Sequence, residues 1–121
     1  MKTILVVDDS RTVRMEVKAA LLPQGYEVLE AADGAEGLVK MNECENIAMI
    51  ICDVNMPKMN GLEMLTEVQK NRRFSNTKVM MMTTEGSATV IKKAQALGAT
   101  AWLVKPFKGD QLVSTVARMT Q

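Results

Sequence analysis

Short apolar runs alternate with stretches of helix-spaced apolar positions along the whole chain. The runs at Thr3–Val7, Glu27–Ala31, Ile47–Cys52, Lys78–Met82 and Ala101–Val104 predict strands. Several are almost unbroken in their apolar character, as expected of parallel strands covered on both faces. Between them, apolar residues recur at three- and four-residue intervals, the spacing of one buried helix face. The first face is Val13, Val17, Ala20 and Leu21; the second Ala35, Leu38 and Met41; the third Leu62, Leu65 and Val68. The fourth is Val90, Ala94 and Leu97, and the last Leu112, Val113, Val116 and Ala117. Chain breakers such as Pro23 to Gly25, Pro57 to Gly61, Gly98 and Pro106 fall between elements. Ser10, Asp33, Asn60 and Ser87 precede helical patterns and predict N-caps. Lys70, Arg72 and Arg73 are placed at the end of the third helix, where cations favour its dipole.

Five strands, each followed by a helix, predict an α/β fold with a mostly parallel sheet. Right-handed crossovers then distribute the helices over both faces. No internal repeat, low-complexity tract or linker interrupts the pattern, so residues 1–121 read as a single domain. With 47% hydrophobic residues, one compact core is within reach.

Charge and composition narrow the function. Fifteen basic and 14 acidic side chains nearly balance, which argues against a general nucleic-acid or membrane-surface binder. The absence of histidine removes histidine bases, histidine metal ligands and a phosphohistidine carrier from this chain. Cys44 and Cys52 form no CxxC pair and are too few for a disulfide framework. The apolar run Ile4 to Val7 meets Asp8-Asp9 too soon for a signal peptide, and no stretch approaches the roughly 18 apolar residues of a membrane span. The expected setting is a soluble protein in a reducing cytoplasm. The 11 methionines, Met80-Met81-Met82 among them, read as adaptable core filling.

The polar residues at the strand ends carry the chemistry. In open α/β sheets ligands bind beyond the carboxyl ends of the strands, where strand order reverses. Strand one ends in Asp8-Asp9, strand three in Asp53, strand four in Thr83, and strand five in Lys105 followed by Pro106. Strand two delivers only Ala31-Ala32. If strands one and three are neighbours, three aspartates meet in one crevice, where their mutual repulsion calls for a counter-charge. A hard dication such as Mg²⁺ suits carboxylate oxygens, and Lys105 can supply an ammonium. Such a site suits phosphoryl transfer, in which a carboxylate could itself be the nucleophile. Taken singly, each aspartate is better explained as a cap or turn residue. Turn chemistry does not explain acids at the ends of strands one and three together with lysine at the end of strand five. Cys52, one residue before Asp53 on the same strand, is expected to point the opposite way, into packing.

Val7-Asp8-Asp9-Ser10, the run Cys52 to Gly61, Thr83-Thr84-Glu85 and Val104-Lys105-Pro106-Phe107 closely resemble the receiver domains of bacterial two-component response regulators. The likeness spans essentially the full chain and is greatest to the stand-alone, CheY-like chemotaxis type. It implies a flavodoxin-like (βα)5 fold with a doubly wound, parallel five-stranded sheet of order 2-1-3-4-5. It also implies that Asp53 accepts a phosphoryl group from a histidine kinase, with Mg²⁺ held by Asp8, Asp9, Asp53 and the backbone carbonyl of Asn55. Lys105 would pair with the phosphoryl oxygens, Thr83 would move toward them, and a cis peptide would precede Pro106. Trp102 stands where the family more often has tyrosine or phenylalanine, and its larger indole strains the usual inward rotation. Asn55, Thr84 and Glu85 would tune phosphoryl lifetime. The output surface would include Lys92, Lys93, Trp102 and Lys108, facing a downstream protein such as a flagellar motor switch component, with a phosphatase as a further partner. A receiver assists its own phosphorylation and hydrolysis but is not an enzyme on other substrates.

Other readings of the residues stay open: a phosphorelay or phosphate-sink receiver, a degenerate receiver used as a scaffold, an aspartyl-phosphate phosphatase, or a flavin or nucleotide module. The phosphatase reading is weakened by Asn55, which stands where such enzymes often carry an aspartate as general acid. The nucleotide reading is weakened by Asp8-Asp9, which occupies the place of a phosphate loop.

Overall fold

The computed structural model describes residues 2–44, 46–56, 59–84 and 88–121. Strands β1 (Thr3–Val7), β2 (Glu27–Ala31), β3 (Ile47–Asp53), β4 (Lys78–Thr83) and β5 (Ala101–Val104) form one sheet in the order 2-1-3-4-5. Every neighbouring pair is parallel. Helices α1 (Arg11–Leu21), α2 (Gly34–Glu43), α3 (Gly61–Gln69), α4 (Ala88–Ala96) and α5 (Gly109–Met119) alternate with the strands. This is the flavodoxin-like, doubly wound arrangement expected from the sequence.

Alternation along each strand divides the core in two. Ile4 and Val6 of β1, Met49 and Ile51 of β3, Met80 and Met82 of β4 and Leu103 of β5 pack under α1 and α5, against Val17, Leu21, Leu112 and Val116. Leu5, Val7, Ile50, Cys52, Val79 and Met81 face the other way, against Met41 of α2, Met64, Leu65 and Val68 of α3, and Ala94 of α4. Burying each large aliphatic or methionine side chain contributes about 1.5–3 kcal/mol. The methionine run of β4 is therefore core filling on both faces of the central strands.

Several boundaries differ from the sequence reading. β3 and β4 each run one residue further, through Asp53 and Thr83, because the parallel ladder continues past the last apolar position. Ala35 and Ala117 are exposed: the buried stripe of α2 is Gly34, Gly37 and Met41, and that of α5 is Leu112 and Val116. Leu97 follows the end of α4 yet still packs on the core. Of the three cations assigned to the end of α3, Lys70 is the C-cap, while Arg72 and Arg73 lie in a separate 3-10 turn, Arg72–Phe74. Asn71 separates the two by accepting from the Arg73 amide.

The predicted caps at Ser10, Asp33 and Asn60 each accept a backbone N–H of the following helix; Ser87 lies outside the described residues. At Asn60 the cap is reciprocal, since Glu63 accepts the Asn60 amide in turn. α3 thus begins tightly against the end of β3. The Gly61 amide donates to the Val54 carbonyl, and a Cβ on Gly61 would collide with the carbonyl oxygen of Asp53. Asn60→Ala should cost about 1 kcal/mol in urea unfolding. Gly61→Ala should cost more, because backbone rather than a flexible side chain must move.

Candidate functional site

Register decides which polar residues meet. Val7 pairs with Cys52, Cys52 with Met81, and Met81 with Trp102 in one row across the sheet. The next row begins with Asp8 and continues through Asp53, Met82 and Leu103. Asp8 and Asp53 are thus side by side, on the side of the sheet covered by α1 and α5. The Asp8 amide still donates to the Ala31 carbonyl of β2, and the Lys105 amide to the Thr83 carbonyl of β4, so the ladder reaches the site itself.

Asp8, Asp53 and Thr83 are buried, an unusual concentration of polar groups in a small core. Lys105 joins the two acids: its Nζ donates to Asp8 Oδ2 at 2.6 Å and to Asp53 Oδ2 at 3.1 Å. The remaining oxygens accept backbone amides, Asp8 Oδ1 from Ser10 at 2.8 Å and Asp53 Oδ1 from Asn55 at 3.2 Å. Asp9 differs. It is exposed and, among the described residues, its carboxylate has no hydrogen bond or ion pair. Oxygens of Asp8, Asp9 and Asp53 nevertheless lie within 4.8 Å of one another.

One ammonium does not neutralise three carboxylates. Burial, followed by the negative charge of Asp8, pushes the Asp53 carboxyl above its ordinary range despite its bond to Lys105. Burial opposes the charge on Lys105, but its bonds to Asp8 and then Asp53 outweigh that and hold the amine above its usual value. The all-oxygen donor set, the short separations and the excess negative charge fit a hard dication such as Mg²⁺. Asp9 would offer it an uncommitted carboxylate, with Asp8 and Asp53 behind.

The other predicted positions divide by location. Asn55 and Thr84 are exposed at the rim, and the Lys105–Pro106 peptide is cis. Glu85, and Pro57 and Lys58 of the motif, lie outside the described residues. Cys52 points away from Asp53 into the core, with Sγ against Met64 Sδ at 3.8 Å, and burial pushes its thiol far up. Trp102 is half-buried against the α2–α4 core, with its indole N–H buried and without an acceptor among the described residues. Lys92, Lys93 and Lys108 are exposed.

The sequence reading passed over one contact. Arg14 on α1 donates from Nη1 to the backbone carbonyl of Asp8 at 2.6 Å and from Nε to Glu30 of β2 at 3.1 Å. Lys18 donates to the second oxygen of Glu30 at 3.1 Å, and this bond leads the causes that lower the Glu30 carboxyl below its usual range. The spacing of Arg14 and Lys18, one helical turn apart, was visible in the chain; their common partner on β2 was not.

Asp53→Asn is expected to raise the thermal stability of the protein in chelator at neutral pH. A carboxyl whose folded pKa is raised makes the fold bind more protons, so wild-type stability falls as pH climbs from the ordinary aspartate value to the raised one. The advantage of the variant should grow across that window and then level off, as read by melting temperature.

A family profile described as the response regulator receiver domain matches residues 4–117. The chain is 41% identical over 105 residues to chemotaxis protein CheY1 of Helicobacter pylori, covering 86% of this chain and 85% of that one. The structure of chemotaxis response regulator CheY4 of Vibrio cholerae superposes with a TM-score of 0.92 at 42% identity, covering 98% of each chain. Response regulator TrrA of Thermotoga maritima, in complex with Mg²⁺ and BeF, superposes with a TM-score of 0.86 at 33% identity, covering 98% of this chain and 99% of that one.

Proposed function

The chain belongs to the response regulator receiver domain family, with relatives of the CheY type, and from that premise we propose that it is a phospho-acceptor switch in a chemotaxis pathway. Residues 1–121 act as one receiver domain in the cytoplasm. Asp53 is the acceptor, a histidine kinase the donor and Mg²⁺ the cofactor. The observation that carries the reading is the shared Lys105 ammonium between buried Asp8 and Asp53, with exposed Asp9 beside them.

In the transfer, an Asp53 oxygen attacks the phosphorus of the kinase's phosphohistidine. An O–P bond forms, the P–N bond breaks, and the imidazole leaves with the electron pair and takes a proton from solvent. Lys105, already on Asp53 Oδ2, follows the negative charge onto the phosphoryl oxygens. Asp8 and Asp9, Asp53 and the Asn55 carbonyl would hold Mg²⁺, which when bound supplies neutralising charge for the carboxylates and phosphoryl oxygens. Hydrolysis is attack of water on the same phosphorus, returning the Asp53 carboxylate and inorganic phosphate. Exposed Thr84 narrows the approach of that water at the rim, where Asn55 is also exposed.

Phosphorylation adds about −1.5 to −2 charge and three acceptor oxygens. The Thr83 hydroxyl turns toward them and draws the loop after β4 with it. Trp102 then has reason to leave its packed position, because its buried indole N–H has no acceptor among the described residues and would gain one in water. The altered surface of α4, β5 and α5, with Lys92, Lys93 and Lys108, binds a downstream protein such as a flagellar motor switch component, and a phosphatase resets it.

Mg²⁺ with beryllofluoride or a small-molecule phosphodonor should change the fluorescence of the single tryptophan, Trp102, and Asp53→Asn should abolish the response. Unchanged tryptophan emission and unchanged amide NMR spectra in the wild type would overturn the proposal. Many turnovers of generic phosphate monoesters would point instead to a phosphatase.

A further inference from the structure

We infer that Arg14, braced by Glu30, is a positioning residue for Mg²⁺ binding, setting the direction of the Asp9 carboxylate through the peptide bond that joins Asp8 to Asp9. The inference rests on the reading of the acidic cluster as a Mg²⁺ site.

Asp9 makes no side-chain hydrogen bond or ion pair among the described residues, so its carboxylate depends on where the backbone aims it. That backbone is held on both sides of Asp9, by the Ser10 amide on Asp8 Oδ1 at 2.8 Å after it and by two bonds at Asp8 before it. The Asp8 amide donates to the Ala31 carbonyl at 3.0 Å, and the Asp8 carbonyl, which belongs to the Asp8–Asp9 peptide plane, accepts Arg14 Nη1 at 2.6 Å. Rotation of this plane would swing the Asp9 Cα and its side chain with it. Arg14 resists because its guanidinium is fixed at a second point, Nε on Glu30 at 3.1 Å, and its side chain is only 15% exposed. Glu30 is in turn pinned by Lys18 at 3.1 Å and by its place in β2.

Arginine is suited to this task because its planar fork holds a carbonyl and a carboxylate at once, which an ammonium on a flexible stem does not do in fixed geometry. Residues that orient metal ligands from behind typically change metal affinity by about 10–100-fold when removed. The alternative effect of Arg14 has the opposite sign: a cation near a dication site repels it, so deleting the charge alone would tighten binding.

The test is calorimetric titration of the full chain with MgCl2, alongside melting temperatures in chelator. Arg14→Ala and Arg14→Lys should each weaken Mg²⁺ binding about tenfold. Glu30→Ala should weaken it in the same direction by less. Raising Mg²⁺ should restore the phosphorylation rate of Arg14→Lys with a small-molecule donor, so that the defect lies in the half-saturating Mg²⁺ concentration and not in the maximal rate. Tighter binding by Arg14→Ala with unchanged binding by Arg14→Lys would overturn the inference in favour of simple repulsion. Wild-type affinity in both variants, with only melting temperature lowered, would overturn it in favour of a structural contact. If Arg14→Ala does not fold, Arg14→Lys, which keeps the charge and much of the bulk, decides the matter. A wild type that binds no Mg²⁺ would instead overturn the reading of the site, and this inference with it.

Discussion

Two carboxylates held side by side at the rim of a parallel sheet, with one ammonium between them, set the terms for the rest of this protein. Buried charges persist only when paired and hydrogen-bonded, and here the pairing is incomplete by design of the register. Lys105 satisfies one oxygen of Asp8 and one of Asp53, and backbone amides satisfy the others. The surplus negative charge falls on the exposed side, where Asp9 has no hydrogen bond or ion pair among the described residues. The interior is therefore nearly satisfied and the rim is hungry for a cation.

This arrangement also explains why the surroundings are so firmly built. The capping box at Asn60 and the tight approach of Gly61 to Asp53 lock the start of α3 to the end of β3. The amide of Lys105 continues the ladder from β5 to the end of β4. Lys105 ties Asp8 to Asp53, so displacing either strand end strains a bond to a buried charge. Thr83 and Trp102 lie on the opposite side of the sheet by strand alternation, facing α4. A change of charge on Asp53 must therefore be relayed across the end of β4 to affect α4 and β5.

The two cores differ in what they ask of the chain. The face under α1 and α5 carries the acids and Lys105 at its upper end, so its aliphatic side chains exclude water from one flank of the charge cluster. The opposite face uses small residues, Gly34, Gly37 and Ala94, to bring α2, α3 and α4 close. Trp102 belongs to that second face, and its buried indole nitrogen has no acceptor among the described residues.

The alternation of five strands and five helices, the bounds of β1, β2 and β5, the caps at Ser10, Asp33 and Asn60, and the acid–acid–lysine pattern at the strand ends are legible in the chain alone. These are local or periodic signals, read from spacing and residue type. The order of the strands came with the family likeness, since periodicity says nothing about which strands are neighbours. Where the chain reading went astray, long-range pairing had overridden local character. β3 and β4 extend onto polar residues because a ladder partner was present. Ala35 and Ala117 turned outward because neighbouring residues filled the buried stripe. Only the tertiary structure decided that Lys105 would divide itself between Asp8 and Asp53, that Asp9 would be left exposed, and that Arg14 would reach across to the Asp8 carbonyl while leaning on Glu30. Each of these contacts joins segments that are distant in the chain or turns on the direction of a peptide plane, and neither leaves a mark in residue spacing.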